Sequence, residues 1–166
     1  HSHLEFIGLH SHIGSQIHAK EGFVESVKRL IKLHAELSKG GEIPELNLGG
    51  GFGINYKPAD DAPGIHEFAE ALAVAVKVEC HKHGIKVPVL AFEPGRVIAG
   101  NPGVTLYTVG TIKDVQVSDA DAVRKYVSID GGMSDNMRPA LYQADYHAIL
   151  ASRSTNATPA LARVVG

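Results

Sequence analysis

Three short apolar runs, separated by two amphipathic stretches of helix length, constrain this chain more than any other feature of it. Leu4-Glu5-Phe6-Ile7-Gly8-Leu9 reads as a first strand and Pro44-Glu45-Leu46-Asn47-Leu48 as a second. Val87-Pro88-Val89-Leu90-Ala91-Phe92, rich in branched residues, reads as a buried third. Between the first two, Phe23, Val24, Val27, Leu30, Ile31 and Leu37 fall at helical spacing over 21–38, with Gly40 and Gly41 as terminators. Ile65, Phe68, Ala69, Leu72 and Val76 mark the buried face of a second helix over 65–83, closed by Gly84. A strand–helix–strand–helix–strand order calls for an α/β fold with a parallel sheet and right-handed crossovers, since only a long connection can return the chain to start a parallel strand.

The alternation stops after Arg96. Residues 104–117 read as a long strand and 126–130 as another, with 118–122 between them. The change predicts a domain boundary near Asn101-Pro102-Gly103, with an α/β part over 1–101 and a β part over 102–166. The chain begins at His1 without Met and is almost at once in a strand. It stops in Arg163-Val164-Val165-Gly166, which reads as a strand beginning. The expectation is therefore an internal piece of a longer protein.

Composition removes several function classes. An apolar share of 44% suits a globular core, and a formal charge of −2 gives no reason to expect nucleic acid or an anionic membrane as partner. No apolar run approaches the roughly 20 residues that span a bilayer, and no signal peptide stands at the start. Cys80 is the only cysteine. It is expected to be a small packed side chain and can form no internal disulfide, which fits a reducing, cytoplasmic setting.

In parallel α/β folds ligands sit at the carboxyl ends of the strands. The first strand leads to His10 and His12, two residues apart and so on one side if the strand extends that far. The second leads to Gly49, Gly50 and Gly51, whose N–H groups can approach an anion such as phosphate. Ser15 can add a hydroxyl and Arg96 a guanidinium. The third leads to Glu93-Pro94-Gly95-Arg96, a carboxylate and a cation held at the strand mouth by a rigid turn. Two readings compete with a plain salt bridge. His-x-His at a barrel strand end is how some metal-dependent hydrolases hold a divalent ion, but such a site needs further ligands. The other reading is a phosphorylated, nitrogen-bearing aromatic cofactor: glycines and Ser15 at its phosphate, His12 on its ring face, Glu93 at a ring nitrogen. Pyridoxal phosphate has those features.

The motifs Gly8-Leu9-His10-Ser11-His12-Ile13-Gly14-Ser15-Gln16, Leu48-Gly49-Gly50-Gly51-Phe52-Gly53 and Glu93-Pro94-Gly95-Arg96 resemble the pyridoxal-phosphate-dependent decarboxylases of the alanine-racemase/ornithine-decarboxylase fold type. Asp130-Gly131-Gly132-Met133-Ser134-Asp135-Asn136-Met137-Arg138-Pro139-Ala140-Leu141-Tyr142 narrows the resemblance to the diaminopimelate branch. The likeness covers nearly the whole chain and keeps the motifs in the family's order.

The resemblance implies the last three βα units of a TIM barrel over 1–101, then the first strands of an all-β domain over 102–166. It implies pyridoxal phosphate as cofactor and no metal. His12 would stack on the ring. Ser15, Gly51, Gly95 and Arg96 would surround the phosphate, with Gly49 and Gly50 shaping the turn. Glu93 would keep the pyridine nitrogen protonated, and Arg96, Arg138 and Tyr142 would grip the unreacted end of the substrate, because the arginine fork matches a carboxylate. The reaction implied turns meso-2,6-diaminopimelate into L-lysine and CO₂, the last step of lysine biosynthesis, in a homodimer with shared sites. The family's Schiff-base lysine would precede His1 and its Cys-Glu motif would follow Gly166. An ornithine- or arginine-type decarboxylase is the rival within the fold, and Arg138 to Tyr142 argue against it. A non-catalytic pyridoxal-phosphate-binding homologue is a further alternative.

Most other histidines read as structural. His34, His66, His81, His83 and His147 fall on helices or helix-like stretches, where a solvated surface position is the expectation. His1 and His3 stand at the chain start. His10 either supports the cofactor from behind or supports the strand. Asp130 either orients the Arg138 segment or forms a turn.

Overall fold

A computed structural model of the chain describes residues 2–117 and 123–166. The expected link over 118–122, and His1, lie outside the described residues. The chain divides into two compact units, His1–Gly103 and Val104–Gly166.

In the first unit β1 (Gly8–His10), β2 (Glu45–Gly50) and β3 (Val89–Glu93) form a parallel sheet in the order β1-β2-β3. The crossovers carry α1 (Lys20–Leu37), followed by a 3-10 turn at Ser38–Gly40, and α2 (Ile65–His83). The α/β, parallel-sheet expectation therefore holds. Both ends of α2 follow from local chemistry. At its start the Gly64 N–H donates to Glu67 Oε1 at 3.0 Å. At its end Gly84 takes the left-handed conformation (φ 66°), while the N–H groups of Gly84 and Ile85 reach back to the carbonyls of His81 and Cys80.

The core lies between the helices and one face of β2. Leu46 and Leu48 alternate onto that face and are buried against Phe23, Val27, Ile31, Phe68, Leu72 and Val76. Phe52, just beyond β2, stacks on Phe23 with ring centroids 4.9 Å apart and meets Phe68 edge-on at 5.4 Å. This clamp fixes the exit of β2, and the glycine run with it. Cys80 is fully buried beside them, as expected of a packed thiol, and burial pushes its pKa up.

Several expectations are corrected. The first strand covers only Gly8–His10; Leu4 and Phe6 are exposed, because the sheet offers β1 a hydrogen-bonded neighbour on one side alone. The third strand is an edge of the sheet rather than a buried strand, with Val89 67% exposed. Ile65, Ala69 and Leu37 lie outside the buried faces of their helices. The second strand runs through Gly49 and Gly50, so these glycines belong to the strand and not to a turn. The strand–helix alternation runs one step further than expected, because β3 is followed by a short helix, α3 (Arg96–Ala99). His34, expected at the surface, is buried at 3% exposure with Nδ1 unpartnered among the described residues. It continues the stripe of Val27, Leu30 and Ile31 by helical spacing.

The second unit is a three-stranded sheet in the order β4-β5-β6, formed by β4 (Val109–Gln116), β5 (Val123–Ile129) and β6 (Ala162–Val165). β4 and β5 are antiparallel, and β5 and β6 parallel. A short helix, α4 (Arg138–Tyr142), lies between β5 and β6 in sequence.

Candidate active site

Strand register assembles the first group of polar side chains. His10 pairs with Asn47 across β1 and β2, and Asn47 with Ala91 across β2 and β3. Leu46 and Leu48 point to the helices, so alternation sends Asn47 to the opposite face. There Asn47 Nδ2 donates to Glu93 Oε1 at 3.1 Å. The Gly49 N–H donates to Asn47 Oδ1 at 2.8 Å, which settles which end of the amide faces the carboxylate. His10 Nε2 approaches the same Oε1 at 3.2 Å, and the three side chains form one polar cluster at the mouth of the sheet, with His10 and Glu93 about half exposed. His12 Nδ1 lies 3.9 Å from Glu93 Oε2, beyond hydrogen-bond range, and accepts the Gly50 N–H at 3.3 Å. This contact fixes the orientation of the His12 ring relative to the β2 backbone.

The glycines make this approach possible. A Cβ on Gly49 would collide with the Ser11 carbonyl, one on Gly50 with the Glu93 carbonyl, and one on Gly51 with the Gly14 carbonyl. Gly49 (φ 69°) and Gly51 (φ 92°) also lie where side chains are strained. The register between β2 and β3 shifts between Asn47 and Gly50, which brings Gly50 opposite Glu93. Beyond the bend, Ile17 resumes pairing with Phe52: its N–H donates to Gly51 O and its carbonyl accepts from the Gly53 N–H, each at 2.9 Å.

A cationic group stands beside the same loops. Arg96 Nη2 donates to Ser15 Oγ at 2.9 Å and Nη1 to Gln16 Oε1 at 3.1 Å. Its guanidinium carbon is 5.7 Å from the centre of the Tyr56 ring. Gly95 (φ 40°) makes the turn from Glu93 into the first turn of α3.

Among the expected positions, then, His12, Gly50 and Glu93 come together, as do Ser15 and Arg96, with Gly49, Gly51 and Gly95 shaping the backbone between them. Arg138 and Tyr142 belong to the second unit. There the Arg138 guanidinium lies 5.7 Å from the centre of the Tyr142 ring, and its Nε is buried with no acceptor among the described residues. Asp130 serves as a strand-end clasp: Thr108 N–H donates to its Oδ1 at 2.7 Å, and that bond, with the Thr108 hydroxyl, holds its carboxyl below the usual range. No cluster of three or more His, Cys, Asp or Glu side chains with the geometry for a metal ion is found among the described residues.

Asn47, Gln16 and His10 are the polar partners that sequence reasoning passed over or left undecided. A polar residue inside an apolar strand was the available signal for Asn47. Its partner, 46 positions away, emerges only from register.

The chain belongs to the pyridoxal-dependent decarboxylases: residues 1–100 match the pyridoxal binding domain of that family. The cofactor of the family is pyridoxal phosphate, and the groups present suit it: a carboxylate at a strand mouth, an imidazole, and a guanidinium with a hydroxyl beside glycine backbone. The chain is 50% identical over 170 residues to the diaminopimelate decarboxylase of Mycobacterium bovis, covering 99% of this chain and 38% of that protein. It is 44% identical over 153 residues to the Bacillus subtilis diaminopimelate decarboxylase, covering 91% of this chain and 34% of the relative. Among solved structures it resembles the diaminopimelate decarboxylase of M. jannaschii in co-complex with L-lysine. There the TM-score is 0.73 at 36% identity, over 85% of this chain and 31% of that one. The chain thus spans well under half the length of these relatives.

Proposed function

We propose that this chain forms the cofactor-binding end and part of the substrate-binding wall of a diaminopimelate decarboxylase, which converts meso-2,6-diaminopimelate to L-lysine and CO₂. The observation that carries the reading is the convergence of His10, His12 and Asn47 on Glu93 at the strand mouth, in a chain 50% identical to such an enzyme. Residues 1–101 are then the last three βα units of a TIM barrel and 102–166 the opening strands of a β domain. The parallel order β1-β2-β3 and the antiparallel pairing of β4 with β5 support this division. On this reading the enzyme is a cytoplasmic homodimer; separately, no helix among the described residues is long and apolar enough to cross a membrane.

Each residue takes a role suited to its surroundings. Glu93 faces the pyridine nitrogen and holds a proton there by its negative charge. Asn47 and His10 grip one oxygen of that carboxylate, so its orientation is set before the cofactor arrives. His12, turned by the Gly50 N–H, presents its ring for stacking. Ser15, Gly51, Gly95 and Arg96 receive the phosphate, with Gly49 and Gly50 admitting the close approach. Arg138 and Tyr142, with Arg96, bind the amino-acid end that does not react. Bound pyridoxal phosphate supplies the electron sink that accepts the pair released as CO₂ leaves.

The test is a coupled assay on the full-length protein. We expect CO₂ and L-lysine in equal amounts from meso-diaminopimelate, dependent on pyridoxal phosphate. Ornithine or arginine turned over in its place would overturn the assignment of substrate and leave the cofactor site standing.

A further inference from the structure

We infer that Gln16 is a positioning residue for Arg96 and that it sets the site's preference for a phosphate-bearing ligand; the inference rests on the reading of Arg96 as a phosphate ligand. Gln16 holds a left-handed backbone (φ 57°), a conformation uncommon outside glycine. Its side chain explains why the conformation persists. Nε2 donates to the Ile54 carbonyl at 2.5 Å and Oε1 accepts the Ile54 N–H at 3.2 Å, so the amide pairs with both backbone groups of one residue. The remaining Nε2 hydrogen is directed at His18 Nε2, 3.1 Å away. Oε1 also accepts Arg96 Nη1 at 3.1 Å. Two N–H donors on one atom identify it as the oxygen, and every bonding capacity of the amide is then taken up.

The consequence falls on Arg96. Consecutive residues of one loop, Ser15 and Gln16, each hold a different arm of its guanidinium, and Tyr56 lies against it. These partners are a hydroxyl, an amide and an aromatic ring, all neutral. They restrict the orientation of the group, and no carboxylate among the described residues pairs with it, which is the state that favours an incoming anion. The loop itself is tied through Ile17 to Gly51 and Gly53. Gln16 thus links the loop after β1, the exit of β2 and the cation after β3.

The experiment is equilibrium binding to the full-length apoprotein of pyridoxal phosphate and of pyridoxal, the same ring without the phosphate. The wild type, Gln16→Met, Arg96→Met and the double variant are compared. We expect Gln16→Met to weaken pyridoxal phosphate about 10–30-fold and pyridoxal less than about 2-fold, as for a lost orientation of a charged hydrogen bond. The double variant should bind no more weakly than Arg96→Met, since the two residues act as one unit. Gln16→Glu keeps both acceptor contacts but places a carboxylate on the guanidinium. It should lower pyridoxal phosphate affinity about as much as Arg96→Met and leave pyridoxal unchanged. Equal losses for both ligands in Gln16→Met, additivity in the double variant, or undiminished phosphate preference in Gln16→Glu would overturn the role of Gln16. A wild type that does not distinguish the two ligands, or an Arg96→Met variant that loses nothing, would instead remove the phosphate reading of Arg96, and this inference with it.

Discussion

The first unit buries a continuous core from Phe23 to Cys80, whereas the second, over its described residues, leaves Val104, Leu106, Ile112 and Leu161 exposed. The difference follows from connectivity. Parallel strands need long crossovers, and α1 and α2 return across one face of the sheet and cover it. β4 and β5 are successive antiparallel strands, and among the described residues the second unit has no helix as long as α1 or α2. On our reading function divides unevenly, with cofactor chemistry in the unit that has a core and substrate grip shared by its Arg96 with Arg138 and Tyr142 of the other.

The largest expected effect concerns that core. Phe68 touches both Phe23 and Phe52 and is wholly buried. Phe68→Ala should destabilise the first unit by about 3–5 kcal/mol. Val164→Ala, on a half-exposed strand of the second unit, should change stability by less than about 0.5 kcal/mol. Urea unfolding of the two variants, followed by circular dichroism, checks the contrast. A larger loss from Val164→Ala would mean that the second unit holds a core of its own.

Next in size is Glu93. Glu93→Gln keeps the shape of the side chain but not its charge, and should lower kcat of the full-length enzyme about 10²–10³-fold, or about 2.7–4 kcal/mol. Unchanged turnover would remove Glu93 as the partner of the pyridine nitrogen. In the second unit Arg138→Lys retains charge and loses the planar fork. It should cut kcat/KM for diaminopimelate by about 10–100-fold while the absorbance spectrum of the bound cofactor stays as in the wild type. A shifted spectrum would place Arg138 in cofactor chemistry and dissolve the proposed division of labour.

The parts of this architecture that were legible in the sequence are those governed by local rules. α2 is legible at 65–83 because apolar periodicity and a closing glycine agree there. Strand limits were less legible, since an apolar run does not reveal how many neighbours it will find. Leu4 to Ile7 stay outside β1, and β3 is an edge. The glycine run reads from sequence as lying beyond a strand that ends at Leu48, with Gly49 and Gly50 shaping a turn as the family resemblance implies. Two of its residues are in β2, where side chains would strike the neighbouring carbonyls of Ser11 and Glu93. The grip of Asn47 and His10 on Glu93, and of Gln16 on Arg96, depends on side chains that meet from distant parts of the chain, which no short window contains.

His34 provides the smallest test, and one confined to the first unit. Its ring is buried in α1, and burial lowers its pKa below the ordinary histidine value, while the Ile43 carbonyl, which accepts a ring N–H, pulls weakly the other way. In the unfolded chain the same ring titrates near about 6.5. Between the two values the unfolded state binds more protons than the folded one, so stability rises with pH. The contribution is therefore fully present above the unfolded pKa and is lost as pH falls from about 7 toward 5. Asp130, in the second unit, is a lowered carboxyl and acts in a different window. Its contribution persists at neutral pH and fades only as pH drops below about 4. Unfolding midpoints measured from pH 5 to 7.5 should decline toward acid for the wild type, and His34→Leu, which removes the titrating ring from an apolar setting, should flatten that slope. A slope unchanged in His34→Leu would show that the unfolding equilibrium takes up its protons elsewhere.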